Sequence, residues 1–267
     1  MCFPSVAMSS TPSNRSRAPR SAPVVPDYSL ERLIGDGSYG DVWLARNALG
    51  TRRALKVVYR DSFESERPYL REFNGIREFE PVSSHSTQVG VFHVGKNDEA
   101  GYFYYVMELA DDAATLGHAA GPSSEPPPLP ADLTQYVPAT LGVLLQRRGR
   151  LPCAEALLLT LALADALAHL HASGLVHRDI KPSNVVFVGG RPKLADIGLV
   201  ARVAGADTLV GTLGYIPPEG PGSPAADIYS LGKVLYEMVT GRDRQDFPNL
   251  PDDLAELGIG TGVIYRF

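Results

Sequence analysis

The sequence predicts an α+β fold, with a β-rich first part followed by a mainly helical second part. Three observations predict it. Short apolar runs bounded by turn residues recur over 28 to 59, 89 to 94 and 102 to 107. Long apolar patterns of helical period fill 152 to 173 and 224 to 240. Between the two groups, residues 111 to 138 turn abruptly to Pro, Ala, Ser and acidic residues, a composition that cannot build a core.

In chain order, residues 28 to 59 hold two β-rich runs and then Arg53-Ala54-Leu55-Lys56-Val57-Val58-Tyr59, with glycines gathered at the first turn. Pro68 suits a first helical position, and Glu72, Ile76 and Phe79 follow on one face of a short helix. Val89 to Val94 and Tyr102 to Met107 read as strands around a Gly-Lys-Asn-Asp turn. The 111–138 segment, with Pro126-Pro127-Pro128-Leu129-Pro130, reads as a solvated insertion; a surface loop is preferred over a proline-rich partner ligand. A long helix over 152–173 precedes a hairpin turning at Gly189-Gly190. A last helix starts at the cap pair Ser223-Pro224 and stops near Gly241, with Ile228, Leu231, Leu235 and Met238 expected to face inward.

Composition narrows the function classes. The 267 residues are 44% hydrophobic, enough for a substantial core, and carry a net charge of −5. That charge offers no basic footprint for nucleic acid. The first 26 residues, rich in Ser, Pro and Ala with Arg15, Arg17 and Arg20, read as a disordered tail. The longest apolar stretch, Leu151 to Val176, is interrupted by Glu155, Asp165, His169 and His171; a buried core helix is expected there, not a membrane segment. The only cysteines, Cys2 and Cys153, form no disulfide framework, which points to a reducing, cytoplasmic compartment.

The chemistry concentrates in His177-Arg178-Asp179-Ile180-Lys181-Pro182-Ser183-Asn184, followed twelve residues after Asn184 by Asp196-Ile197-Gly198. Phosphoryl transfer needs an oriented hydroxyl, positioned metal ions and neutralisation of the triphosphate, and this segment offers a residue type for all but the last. Upstream, Gly35-Asp36-Gly37-Ser38-Tyr39-Gly40-Asp41-Val42 has the glycine spacing that lets backbone N–H groups approach phosphates. A dinucleotide-binding turn shares that spacing but opens a helix, whereas Asp41 to Arg46 reads as a strand. Lys56, sixteen residues past Gly40, supplies a cation.

On these motifs the chain resembles the bacterial serine/threonine protein kinases, from about Tyr28 to about Leu250. The resemblance implies a bilobal kinase domain over 27–250. Its small lobe spans about 27–108, the Pro-rich insertion about 111–138 and the large lobe about 139–250, with an unassigned tail over 251–267. It implies ATP with Mg2+ or Mn2+ as cofactors and a protein substrate bearing Ser or Thr; the sequence fixes no oligomeric state. Asp179 would orient the substrate hydroxyl, Asn184 and Asp196 would hold metal ions, and Lys181 would stabilise the transferred phosphoryl. Lys56 would meet the α- and β-phosphates, braced by a helix glutamate, Glu72 or, as runner-up, Glu78. Gly35, Asp36, Gly37, Ser38, Tyr39 and Gly40 would cover the phosphates. Val42, Ala54 and Val186 would sandwich adenine, with backbone groups of Glu108 and Ala110 at its edge. Ile76, Ile197 and His177 would form an internal stack.

Gly211-Thr212-Leu213-Gly214-Tyr215 and Pro217-Pro218-Glu219 resemble the end of an activation segment, with Thr212 near Asp179 and Lys181 and with Thr208 as a phosphate acceptor near Arg178. Ile197 and Pro217 depart from the family's usual Phe and Ala. After Asp246 to Pro251 the family continues with further helices, one region of which pairs an arginine with the buried glutamate matching Glu219; a truncated large lobe is the expectation. Two readings follow, an active protein kinase and a truncated pseudokinase or nucleotide-binding scaffold. A small-molecule kinase is disfavoured by the segment at 211–219.

Overall fold

Residues 28 to 59 pack as three antiparallel strands, β1 (Tyr28–Asp36), β2 (Gly40–Asn47) and β3 (Arg52–Tyr59), in the computed structural model, which describes residues 23–36, 40–116, 129–203 and 210–251. Helix α1 (Glu66–Phe79) and strands β4 (Val91–Asn97) and β5 (Tyr102–Met107) complete a five-stranded sheet of order β1-β2-β3-β5-β4. α1 starts two residues before Pro68, behind Ser65 in extended conformation. The proline still falls in the first turn, where its missing N–H costs nothing. β4 also differs from expectation: it begins at Val91 and runs through Gly95 to Asn97. Pairing persists there because the Tyr104 ring lies where a Cβ on Gly95 would sit, 2.3 Å from its Cζ.

Two segments assigned to solvent are in part packed. Val25, in the expected tail, is 4% exposed, and Val24 accepts a 2.7 Å hydrogen bond from the Tyr102 hydroxyl, so the sheet recruits the Val-Val pair ahead of Pro26. The roots of the 111–138 insertion are also embedded. Ala113 and Tyr136 are buried, and Ala113 N–H donates to Val137 and Ala139 N–H to Asp111 across an antiparallel bridge. Pro126 to Pro128 lie outside the described residues, as do Arg15, Arg17 and Arg20 and the chain beyond Pro251.

The second part carries α2 (Leu141–Arg148), α3 (Cys153–Ala172), β6 (Leu175–Val176), β7 (Val185–Val188), β8 (Arg191–Leu194), β9 (Ala201–Arg202) and α4 (Pro224–Thr240). α2 was not foreseen. Its eight residues bury only Leu141 and Leu144, too few to show a period, and its start is set by Thr140, whose hydroxyl accepts from Val143 N–H at 3.1 Å. α4 is capped as expected, with Ser223 accepting from Ala226 N–H and Gly241 left-handed at its end. Leu231 and Met238 point inward as expected and Leu235 packs partly buried against the core, but Ile228 is 50% exposed, and Asp227, Ser230 and Val234 join the inward face. α3 is not a wholly buried helix either. Leu163, Ala166, Leu167 and Leu170 pack inward, whereas Leu157, Leu158 and Leu161 are exposed by 51%, 69% and 66%. Among the described residues it is one helix long and apolar enough to cross a membrane by length and composition.

One core joins α2, α3, α4 and the β7–β8 hairpin. A second joins α1 and β5 of the sheet to Leu170, Leu175 and Ile197 of the helical part. Ile76 and Ile197 are fully buried in that second core, and burying such a side chain is worth about 1.5–3 kcal/mol. Local packing therefore ties α1 to the loop after β8, and this tie positions the site.

Candidate active site

The loop between β6 and β7 carries His177 to Asn184 with its backbone fixed from below. Asp227, buried at the start of α4, accepts the N–H groups of His177 and Arg178 at 2.8 Å each and sits 2.8 Å from His171 Nε2. Arg178 adopts φ 73°, a left-handed conformation that a non-glycine residue holds only when its surroundings over-determine it. The Asp227 carboxylate, which accepts the N–H of Arg178 itself and of the residue before it, supplies that determination.

Asp179, 7% exposed, is the centre of a small network. Thr212 donates its hydroxyl to Asp179 Oδ1 at 2.7 Å, and Lys181 Nζ lies 2.8 Å from Oδ2 and 2.9 Å from the Thr212 hydroxyl. Asn184 donates to both the carbonyl and Oδ2 of Asp179, at 2.8 and 2.9 Å. A carboxylate so held has a fixed direction. As a hydrogen-bond acceptor it can take a bond from an incoming hydroxyl, the geometry that proton abstraction requires.

A second network meets it from the sheet. Lys56 on β3 stands 2.9 Å from Glu72 Oε1 and 2.9 Å from Asp196 Oδ1. Burial alone would lower the Lys56 ammonium, but Asp196 and Glu72 outweigh it and hold it well above its usual value. The Lys56 charge in turn keeps the Asp196 carboxyl low against the opposing effect of burial. Glu78, the alternative to Glu72, points elsewhere and pairs with Arg202 at 2.6 Å. Gly198 explains how Glu72 comes so near: a Cβ there would lie 2.6 Å from Glu72 Oε1. Asp196 itself is left-handed, with φ 55°, and its side chain is 44% exposed toward the cleft.

Ile76, Ile197 and His177 are all buried, with His177 Nε2 3.1 Å from the Ala195 carbonyl. Val42 and Ala54 lie on adjacent strands and Val186 on β7. The segment linking the sheet to the helices is bolted to the β7–β8 hairpin. Glu108 Oε2 accepts from Gly90 N–H at 2.8 Å and meets Lys193 Nζ at 2.6 Å, while Asp111 accepts from Gly189 and Gly190 N–H at 2.9 and 2.7 Å. Tyr136 donates to the Ala110 carbonyl at 2.9 Å. Of the glycine-rich turn, Gly35 and Gly40 are placed at the ends of β1 and β2, with Asp36 opposite Asp41; Gly37, Ser38 and Tyr39 lie outside the described residues, as does Thr208.

Glu219 is exposed and not buried as the resemblance implied. The acid that is engaged near this segment is Glu237, which the sequence reading passed over. Tyr215 donates to it at 2.6 Å, and Arg244 stands 3.8 Å away while donating to the Leu213 carbonyl at 3.2 Å. Burial raises the Glu237 carboxyl above its usual value even against these partners. Asp227 was passed over too, although an acid four residues before Leu231 on the inward face was a legible signal.

Asn184 and the Asp196 carboxylate offer hard oxygen donors. No cluster of three His, Cys, Asp or Glu suited to a metal occurs among the described residues, so an ion here would draw its other ligands from phosphate oxygens and water. That donor set fits Mg2+, which keeps waters and binds through one or two carboxylates plus phosphates.

The protein kinase domain family matches residues 28–248 of the chain. The serine/threonine-protein kinase PknA of Mycobacterium tuberculosis is 34% identical over 229 residues, covering 80% of this chain and 47% of PknA. The probable serine/threonine-protein kinase PkwA of Thermomonospora curvata is 32% identical over 261 residues, 86% of this chain and 31% of PkwA. Serine/threonine-protein kinase PrkC of Bacillus subtilis is 28% identical over 227 residues, 80% of this chain and 30% of PrkC. The chain spans less than half the length of these curated relatives.

Proposed function

Since the chain belongs to the protein kinase family, whose members use ATP and a divalent metal ion, we propose that it transfers the γ-phosphoryl of ATP to a serine or threonine hydroxyl of a protein. The observation that carries this reading is the Asp179 carboxylate, held by Lys181, Asn184 and Thr212 within a site that also presents the Lys56–Glu72 pair. In the step, the acceptor oxygen forms a bond to the γ-phosphorus while the bond to the β-phosphate oxygen breaks; ADP leaves and the hydroxyl proton passes toward Asp179. Lys181 stabilises charge on the group in flight, and Lys56 orients the α- and β-phosphates. Asn184 and Asp196 would hold Mg2+, or Mn2+, which supplies neutralisation of the phosphate charge. Backbone groups of Glu108 and Ala110 meet the adenine edge between Val42, Ala54 and Val186.

The substrate is taken to be a protein and not nucleic acid, for which a net charge of −5 gives no attraction. A cytoplasmic location belongs to the same proposal, because the reaction consumes ATP. The test is transfer of radiolabel from ATP to a generic basic protein by the wild-type chain and by Asp179→Asn. Labelling by the first and not the second is expected. Nucleotide binding without any transfer by the wild type would replace the kinase with a nucleotide-binding scaffold.

A further inference from the structure

Arg32 lies on β1, three residues before Gly35, and its guanidinium leaves the sheet. Nη1 donates to the carbonyls of Leu133 and Tyr136, at 2.5 and 2.8 Å. Both acceptors belong to the limb that returns the insertion to the helical part. The limb is itself a built feature: Asp132 caps its turn by accepting from Thr134 N–H at 2.9 Å, and Tyr136 is buried with its hydroxyl on the Ala110 carbonyl. Its end is woven into β7, since Phe187 N–H donates to Ala139 at 2.9 Å.

Besides the covalent link at 107–110 and the ties through Lys56–Asp196 and Glu78–Arg202, Arg32 links the first strand of the sheet to the returning limb of the insertion. This link grips the strand that runs directly into the glycine-rich turn. β1 is irregular on both sides of this point, with register shifts between Leu30 and Arg32 and between Leu33 and Gly35. Its pairing with β2 is interrupted on either side of Arg32, and Arg32 supplies an anchor from the other side. Both bonds come from one guanidinium nitrogen, Nη1, whose charge strengthens its donation to each carbonyl.

We propose that Arg32 is a positioning residue for the phosphate end of the nucleotide site, strapping β1 to the returning limb of the insertion. The assignment rests on the reading of the cleft as an ATP site. It requires that loss of the strap be felt by phosphates and not by adenine, whose expected contacts lie on the covalent crossing.

The test measures binding of a non-hydrolysable ATP analogue and of adenosine by calorimetry, with kcat and KM for ATP, in wild type, Arg32→Ala and Arg32→Lys. Loss of two charge-assisted hydrogen bonds predicts roughly tenfold weaker analogue binding in Arg32→Ala, with adenosine binding unchanged and KM rising more than kcat falls. Arg32→Lys should recover part of the loss, because an ammonium still reaches a carbonyl. Should Arg32→Ala not fold, Asp132→Ala, which loosens the turn presenting the Leu133 carbonyl, carries the same expectation. Equal losses for analogue and adenosine, or no loss for either, overturn the assignment while leaving the kinase reading in place. A wild-type chain that binds no analogue removes that reading and this assignment together.

Discussion

Asp227 grips the catalytic loop through His177, accepting its N–H at 2.8 Å with one carboxylate oxygen while the other takes the next amide. Asp227→Ala would leave two buried amides unpaired and strip His171 of its partner. We expect a loss of about 3–5 kcal/mol, a large share of a domain's usual ~5–15 kcal/mol. Urea denaturation checks it; a change below about 1 kcal/mol would mean that water replaces the carboxylate at no cost.

Asp179→Asn should abolish nearly all phosphoryl transfer and spare nucleotide binding, since the residue faces the acceptor and its neighbours Lys181, Asn184 and Thr212 hold the loop. Single-turnover labelling and calorimetry separate the two quantities. Equal transfer rates for variant and wild type would refute the role.

The two glutamates of α1 should behave differently. Glu72→Ala removes one of the two carboxylates that hold the buried Lys56 ammonium, leaving Asp196 alone, and turnover should fall roughly 100-fold, in line with loss of one preorganised electrostatic contact. Glu78 pairs with Arg202, whose side chain is 64% exposed; Glu78→Ala should stay within about 0.5 kcal/mol in stability and near wild type in rate. Steady-state kinetics of the two variants decides between them.

The Lys56–Asp196 pair sets a pH window. The Asp196 carboxyl is held below its usual 3.8, so its contribution is complete above that value and fades as pH falls through the lower, folded-state value. The Lys56 ammonium is held above its usual 10.5, so its contribution is complete below that value and fades as pH rises through the higher one. The stability gap between wild type and Asp196→Asn should be flat at neutral pH and narrow in acid below 3.8. Urea midpoints measured from pH 7 down to pH 3 test this; a gap that widens in acid contradicts it.

How much of this was legible depended on whether a residue's partner was local. The strands, the capped helix α4 and the loop from His177 to Asn184 announce themselves through period, cap residues and spacing. The preference for Glu72 over Glu78 rests on Ile76 one turn later, and the structure pairs Glu72 with Lys56 because that face of α1 meets Ile197 across the fold. Ile228 was misassigned: it is as apolar as its neighbours, but Asp227 and Ser230 had partners waiting inside and took the inward face. Composition likewise misjudged the two ends of the insertion, where Tyr136 and Ala113 are buried and bonded to Ala110 and Val137. The Arg32 contact spans more than a hundred residues and leaves no local trace.

The outward leucines of α3 affect how the molecule behaves in a tube. Leu157, Leu158 and Leu161 fall within about one turn and a half of helix, each more than half in water. A contiguous apolar patch of this kind takes up reporter dyes such as anilinonaphthalene sulfonate and promotes self-association at high concentration. Exchanging all three for Ser, Lys or Gln should sharpen elution on size exclusion and lower dye fluorescence with the catalytic network untouched, which makes this helix face the first target for anyone seeking crystals of the chain.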